Sequence, residues 1–436
     1  MNTEANTSEV TEQPLNTHKI VTLYIHGFSN DGVLQEGIYG IAREDISIQE
    51  QIGDFGYTLI DEEKKSDKLD NLFTTIEYYG DTPPFYYTSE DIKEVEKSEK
   101  GIPRYALIVA KYIKYLIETR GVTEINIMSA SMGSLVSRYL IEKNIHQLTS
   151  EKYIRQWLSF EGVVKGNIAA SNETLYDLTS FFKSLSIDTE HMKYDWINQH
   201  LDEKSPLYDG LKIGFESSTK DNLNQYALSV WLRTVQGKYM PNDGYQVVQD
   251  TFFENYPHTL LHENHLSLSD NKAAWASAVL FFHSNKHIRV TLSEVTLHTL
   301  YEQRTLLNDG IADVVFESRI YSPYAARRWG IEKAVDERVY EGKYPKLYHY
   351  EKTEIPYSSN IVLFDGMIVD DETTLKVNIQ PIELDLDVDY GVLEAIDKTK
   401  NKSFEKLEYM LPTKEGVYEF DTQDWGGRLK VEVVSF

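Results

Sequence analysis

Short apolar runs alternate with segments of helical periodicity in the N-terminal part of the chain. The β-branched run Ile20–Ile25 is typical of a buried parallel strand. Further candidate strands are residues 74–79, 124–128 and 154–160, and candidate amphipathic helices are residues 103–119 and 132–144. Strands that alternate with helices in this way predict a parallel sheet covered by helices on both faces.

The pattern changes twice further along the chain. Residues 175–185 and 191–201 form two amphipathic segments without a strand between them, which predicts a helical insertion over the sheet at about residues 171–220. A helix over residues 270–283 follows, with Asp270 as its predicted N-cap.

After Lys286 the hydrophobic period becomes two, which predicts an all-β domain of the sandwich type. The alternating or apolar segments are residues 287–296, 312–321, 360–369, 375–388 and 428–434. We therefore expect one domain over residues 18–285 and a β-sandwich domain over residues 286–436.

Composition narrows the classes of function. The 436 residues carry a net charge of −25, which disfavours binding to nucleic acid and to anionic membrane surfaces. The chain has no cysteine, so disulfides and thiolate metal sites are excluded.

The N-terminal residues and the lengths of the apolar runs bear on where in the cell the protein is found. Residues 1–17 are polar and acidic, so we expect a disordered leader rather than a signal peptide. The apolar runs are too short for a membrane span. Location in the cytoplasm and export without a classical signal both stay open.

The segment Ser129-Ala130-Ser131-Met132-Gly133 lies between a predicted strand and a predicted helix. A sharp turn from strand to helix needs small residues two positions before and two positions after its central residue, and Ser129 and Gly133 are both small. This pattern predicts that Ser131 is an exposed nucleophile. The alternative is that Ser131 only caps the helix that follows.

Two backbone N–H groups must face the oxyanion that develops during acyl transfer. The N–H of Met132, which follows the nucleophile, is one candidate. The second candidate is the N–H of Phe28, in the segment His26-Gly27-Phe28 that follows the first strand. His26 would brace this loop, although the segment alone is also consistent with an ordinary turn.

A nucleophilic serine also needs a base and an acid that orients the base. Asp243 in the turn Asn242-Asp243-Gly244, and His265 before the 270–283 helix, follow Ser131 in the chain order Ser, Asp, His. The acid could instead be Asp250 or Asp221, and the base could be His262 or His258.

Together, IVTLYIHGF, SASMGS, PNDG and ENHL resemble segments of bacterial triacylglycerol lipases and related α/β-hydrolase esterases, over about residues 18–285. The resemblance implies an α/β-hydrolase fold with a helical lid. It also implies Ser131 as nucleophile, Asp243 as acid, His265 as base, and Phe28 and Met132 as oxyanion donors.

This sequence departs from the family pattern at three places. The first elbow glycine is Ser129, and residues 160–166 match poorly the segment that such lipases carry there. Many of these lipases bind calcium through an Asp two residues after the catalytic His, where this chain has Ser267. We therefore expect no metal site and no cofactor.

The expected activity is hydrolysis of a carboxylic ester, with an acyl ester or lipid as substrate and phospholipids included. Phe181, Phe182, Leu185 and Trp196 are candidate substrate-lining residues, and ordinary helix packing explains them equally well. By analogy with lipid-docking modules of some lipases, the β-sandwich suggests peripheral contact with a lipid surface. The alternatives are a thioesterase or acyltransferase with the same triad, and a hydrolase fold that only binds a partner.

Overall fold

The structure is a computed structural model. It describes residues 18–28, 53–65, 69–79, 83–172, 186–220, 241–265, 267–268, 271–300, 312–339, 348–383 and 402–434. The expected leader at residues 1–17 and the expected helix at residues 175–185 lie outside these ranges.

A seven-stranded sheet forms the centre of the N-terminal part. Its strands are β1 (Ile20–Ile25), β2 (Thr58–Leu59), β3 (Leu72–Ile76), β4 (Glu124–Ala130), β5 (Ile154–Phe160), β6 (Lys212–Ser218) and β7 (His258–Leu261). The spatial order is β2-β3-β1-β4-β5-β6-β7, and every neighbouring pair is parallel. All carboxyl ends therefore lie at one edge of the sheet.

Helices cover both faces of this parallel sheet. The α-helices before the sandwich are α1 (Ser89–Lys97), α2 (Ile102–Glu118), α3 (Met132–Glu142), α4 (Ile168–Ser171), α5 (Ser186–His191), α6 (Tyr194–His200) and α7 (Lys272–His283). Short 3₁₀ segments occur at Ile60–Lys65, Ile145–Gln147, Pro206–Tyr208 and Val248–Asp250. Alternate residues of β1 show the two faces: Leu23 shares a core with α2 and α3, and Tyr24 shares a core with α7.

In its described residues, the C-terminal part consists of antiparallel strands and one short helix, α8 (Pro323–Trp329). The strands are β8 (Lys286–Leu297), β9 (Ala312–Tyr321), β10 (Asp336–Arg338), β11 (Tyr348–Tyr350), β12 (Tyr357–Ile368), β13 (Thr374–Glu383), β14 (Lys402–Ser403), β15 (Leu407–Pro412), β16 (Gly416–Asp421) and β17 (Trp425–Val434). One sheet has the order β12-β8-β17-β16, and the other contains β10-β9-β13-β14 with β11 beside β9 and β15 beside β13. Val290 and Leu292 of the first sheet share a buried core with Val314 and Phe316 of the second, so the two sheets form a sandwich.

The sandwich packs against the parallel sheet on the side of α7. Trp275 of α7 lies in one hydrophobic cluster with Ala325 of α8 and Met367 of β12. At the edge strand β7, the backbone N–H of Leu260 donates to the buried carboxylate of Asp336 at 3.1 Å. Apolar burial and a buried hydrogen bond thus join the two parts.

The sheet order, the crossover helices and the following sandwich confirm the predicted α/β-hydrolase fold with a sandwich-like C-terminal region. None of the helices in the described ranges combines the length and the apolar character that crossing a membrane requires.

Two local predictions are wrong. The range 171–220 assigned to the helical insertion includes β6, a strand of the central sheet. Its Gly214 allows Phe281 of α7 to pack directly on the strand, and this small residue obscured the apolar strand pattern. The cap of α7 is Asn271 rather than Asp270, because the Asn271 side chain accepts from the N–H of Ala273 at 2.8 Å.

Candidate functional site

Ser131 lies at the turn between β4 and α3, at the carboxyl edge of the parallel sheet. Its backbone has φ 50° and ψ −123°, a conformation that is strained for a residue with a side chain. A Cβ at Gly133 would collide with the carbonyl oxygens of Ile25 and His26, which explains the glycine two positions after Ser131. The backbone therefore has the geometry of a nucleophile elbow.

The serine in place of the first elbow glycine is accommodated inside the core. Ser129 is fully buried, and its hydroxyl accepts a hydrogen bond from the indole N–H of Trp157 at 2.9 Å. The same hydroxyl lies 3.2 Å from the hydroxyl of Ser134 on α3. These two contacts provide hydrogen-bond partners for the hydroxyl group that Ser129 introduces where the family pattern has glycine.

The structure brings Ser131, His265 and Asp243 together. His265 Nε2 lies 3.0 Å from Ser131 Oγ, and His265 Nδ1 lies 2.7 Å from Asp243 Oδ2. The other carboxylate oxygen of Asp243 accepts the backbone N–H groups of Tyr245 and Gln246 at 2.9 and 2.8 Å. Because the N–H of His265 also donates to the carbonyl of Asp243, the two loops are joined twice.

The alternative acids and bases are placed elsewhere or lie outside the described residues. Asp250 accepts from the hydroxyl of Tyr194 at 2.5 Å, and His258 is buried against the hydroxyl of Ser217 at 2.9 Å. His262 lies 3.3 Å from the hydroxyl of Thr219. Asp221 falls outside the described ranges.

Glu161 is a site residue that the sequence analysis did not identify. It follows β5 directly, is 5% exposed, and places its Oε2 3.5 Å from His265 Nδ1. Its other oxygen accepts a hydrogen bond from the hydroxyl of Ser218 at the end of β6. The only sequence signal was the poor match of residues 160–166 to the lipase pattern.

The two carboxylates determine the electrostatics of the histidine. Burial alone would lower the pKa of His265, but the charges of Asp243 and Glu161 outweigh it and raise the pKa to about 9. Burial raises the pKa of Glu161 well above its usual range; the positive charge of His265 opposes this shift and Asp243 adds to it. The two carboxylates therefore favour the imidazolium form of His265.

The loop after β1 lies against Ser131. A Cβ at Gly27 would come within 2.8 Å of Ser131 Cβ, so only glycine permits this approach. The carbonyl of His26 accepts the hydroxyl of Tyr78 at 2.7 Å, and the Phe28 ring packs edge-on against Tyr79. This placement brings Phe28 to the side of the sheet edge on which Ser131 lies.

Met132 is the first residue of α3, where backbone N–H groups have no partner within the helix. The roles of Phe28 and Met132 as oxyanion donors stay predictions, like the catalytic roles of Ser131, Asp243 and His265.

The predicted lining residues Phe181, Phe182 and Leu185 lie outside the described residues. Trp196 lies on α6, where its ring stacks between His191 and His200 at centroid distances of 4.3 and 4.4 Å. These contacts show helix packing at Trp196.

Within the described ranges, Glu161, Asp243 and His265 form the one group of potential ligands whose atoms lie within 4.8 Å of one another. The 2.7 Å between His265 Nδ1 and Asp243 Oδ2 is a hydrogen-bond distance. A bound ion at about 2.0–2.2 Å from each atom would need the pair to separate, so this geometry fits a triad better than a metal site. Ser267, at the position where related lipases carry a calcium ligand, donates its hydroxyl to Glu263 at 2.9 Å.

Comparison with known proteins gave matches among solved structures only. No protein-family model and no curated protein matches the chain. The mature form of Bacillus licheniformis lipase BlEst2 matches at 13% identity and a TM-score of 0.40, over 61% of this chain and 92% of that one.

Two further matches are more distant. The metagenomic carboxyl esterase MGS0156 matches at 12% identity and a TM-score of 0.37, over 59% of this chain and 69% of that one. Phospholipase PlaB from Legionella pneumophila matches at 10% identity and a TM-score of 0.33, over 54% of this chain and 45% of that one. All three similarities are to structures of low sequence identity to this chain.

Proposed function

We propose that the protein is a serine carboxylic ester hydrolase that works through an acyl-enzyme. The observation that carries this proposal is the continuous line of hydrogen bonds from Ser131 through His265 to Asp243, with Ser131 on a strained elbow. Strain of this kind persists where a side chain must be presented for function. The triad members also follow the chain order of α/β-hydrolases.

The chemistry follows from these positions. Nε2 of His265 takes the proton from the Ser131 hydroxyl as Oγ attacks the ester carbonyl, while Nδ1–H donates to Asp243. The N–H groups of Phe28 and Met132 would stabilise the oxyanion of the tetrahedral intermediate. His265 then protonates the leaving alcohol, and a water molecule activated by the same histidine hydrolyses the acyl-enzyme.

The proposed substrates are acyl esters, including lipids. Hydrolysis of p-nitrophenyl esters from acetate to palmitate, by wild type and Ser131→Ala, tests the proposal. We expect the variant to lose roughly 10⁴-fold or more in kcat. A preference for short or long acyl chains would separate an esterase from a lipase.

Two other results would redirect the proposal. Turnover of thioesters with Ser131-dependent kinetics but without ester hydrolysis would indicate a thioesterase or acyltransferase. A folded wild type that hydrolyses no ester or thioester and does not react with a fluorophosphonate would reject a hydrolase and favour a binding role.

A further inference from the structure

His265 faces two carboxylates rather than one. Its Nδ1 lies 2.7 Å from Asp243 Oδ2 and 3.5 Å from Glu161 Oε2, and the two acids come from different loops at the sheet edge. The side chains of Asp243 and Glu161 are 1% and 6% exposed. Water therefore screens neither charge effectively.

The backbone around Ser131 fixes the position of Glu161. Glu161 has φ 46°, an uncommon conformation for a residue with a long side chain, and its N–H donates to the carbonyl of Glu216 at 2.8 Å. On either side, the N–H of Ser131 donates to Phe160 at 2.9 Å and the N–H of Val163 donates to Ser131 at 3.0 Å. The segment that carries Glu161 is thus hydrogen-bonded directly to the elbow.

The two acids are held in different ways. Asp243 has one oxygen fixed by two backbone N–H groups and the other on the imidazole, which is the arrangement that orients a ring. Glu161 is held by the hydroxyl of Ser218 and stands farther from Nδ1. Once His265 is protonated, its positive charge favours the ionised form of Glu161. At 3.5 Å this anion acts through its charge more than through a hydrogen bond.

We propose that Glu161 is a positioning residue for the reaction: it stabilises the imidazolium form of His265 and so strengthens His265 as the base for Ser131. This inference rests on the proposed ester hydrolase function. In the transition state His265 becomes positively charged, and a second buried carboxylate lowers the free energy of that state.

The charged groups that face this cluster come from several elements. Glu216 on β6 lies within electrostatic reach of Glu161, and Asp243 acts on both Glu161 and His265. The ring of Tyr245 lies 5.0 Å from the His265 ring, and the loop of His265 also carries His262 and Glu263. Glu161 and Asp243 are the two groups whose negative charge raises the pKa of His265.

The direct test is Glu161→Gln, which keeps the shape and the hydrogen bond to Ser218 but removes the charge. The acidic limb of kcat/KM reports the pKa of the base in the free enzyme. We expect this limb to move to lower pH by about one unit or more, and the plateau to fall by roughly 10-fold because the base is weaker. Glu372→Gln is the matched control, since Glu372 is also a buried glutamate that accepts from a serine hydroxyl, but it lies in the sandwich.

A second readout needs no substrate. The rate at which a fluorophosphonate labels Ser131 depends on the same base, so its pH profile should move with the kinetic limb in Glu161→Gln and stay fixed in Glu372→Gln. If Glu161→Gln fails to fold, Ser218→Ala is the second variant. Loss of the Ser218 hydroxyl makes the Glu161 anion less favourable, so the limb should shift in the same direction by a smaller amount.

A double-mutant cycle separates charge from packing. Asp243→Asn should retain activity above Ser131→Ala because Glu161 still stabilises the imidazolium, and Asp243→Asn with Glu161→Gln should fall to the level of Ser131→Ala. An unchanged pH limb in Glu161→Gln, with a double variant no worse than Asp243→Asn, would overturn the role of Glu161 and leave the ester hydrolase intact. A wild type without ester hydrolysis and without labelling would instead reject the proposed function itself.

Discussion

The parallel sheet and the antiparallel sandwich each bury a histidine against an aspartate, and in the first pair the histidine also lies beside the hydroxyl of Ser131. In the sandwich, His287 on β8 lies 2.5 Å from Asp365 on the neighbouring strand β12, and Arg289 contacts the same carboxylate at 2.8 Å. In the parallel sheet, His265 and Asp243 lie on two loops beyond the carboxyl ends of the strands. The His287–Asp365 pair links two neighbouring strands of one sheet. In the His265–Asp243 pair, the second ring nitrogen of the histidine faces the hydroxyl of Ser131.

A third buried histidine, His258, lies beside a serine. His258 on β7 is buried beside the hydroxyl of Ser217 on β6, at 2.9 Å, and its ring stacks on Phe252. Burial and the nearby positive charge of Arg338 lower the pKa of His258 to about 3, the opposite of His265. These three histidines therefore differ in their partners. His287 contacts an aspartate, His258 contacts a serine, and His265 contacts both. The carboxylate of Asp243 distinguishes the site from the Ser–His pair. Its place on loops beyond the carboxyl ends of the parallel strands distinguishes it from the Asp–His pair.

The largest expected effect distinguishes the two Asp–His pairs. Asp243→Asn should lower kcat/KM by roughly 10³-fold, because the histidine loses its orientation and its charge partner. Asp365→Asn should leave kcat/KM within about 3-fold but destabilise the protein by about 3–5 kcal/mol, since a buried ion pair loses one partner. Ester kinetics and urea unfolding measure both variants. Equal kinetic losses in the two variants would contradict the distinction.

Two glycine substitutions, one in each of the same two regions, should have smaller effects on activity and stability. Gly27→Ala would place a Cβ 2.8 Å from Ser131 Cβ, and we expect kcat/KM to fall roughly 10-fold because the nucleophile is displaced. Gly366→Ala would place a Cβ 2.8 Å from the ring of Phe364 in β12 and should cost about 1–3 kcal/mol of stability through overpacking. Its kcat/KM should stay close to wild type. A Gly27→Ala enzyme with full activity would show that the loop after β1 does not constrain Ser131.

The smallest effect concerns pH and stability. Because the pKa of His258 is lowered in the fold, its stabilising contribution is present above pH 6.5 and declines as the pH falls toward about 3. Between pH 7.5 and pH 5, wild type should lose about 2 kcal/mol through this group. His258→Gln should be less stable at pH 7.5 but show a flatter decline, as measured by urea unfolding at both pH values. The same slope in both proteins would show that His258 does not titrate on unfolding.

Much of the site could be predicted from the sequence because its signals are local. Ser131 lies in a short strand-turn-helix pattern, and Asp243 and His265 lie in turns in the expected chain order. Glu161 could not be found in this way. Its place beside His265 depends on the register that sets the end of β5 between β4 and β6, which no local pattern contains.

The fold could be predicted where hydrophobic periodicity was strong, as at β5 and β9. Strand β6 was not predicted because Gly214 and three residues with small or polar side chains, Ser217, Ser218 and Glu216, disguise a strand that is buried beyond its first residue. Strands β15 and β16 were also not predicted, because their exposed positions mix the acidic residues Glu408, Glu419 and Asp421 with the apolar residues Met410 and Val417. Tertiary packing rather than local propensity selects these strands.

The most direct test of the central claim is fluorophosphonate labelling followed by mass mapping of the modified peptide. We expect a covalent adduct on Ser131 in wild type, slower labelling in His265→Ala, no adduct in Ser131→Ala, and normal labelling of Ser131 in Ser217→Ala. An adduct on Ser217, or a folded wild type that acquires no adduct on Ser131, would contradict the assignment of the nucleophile.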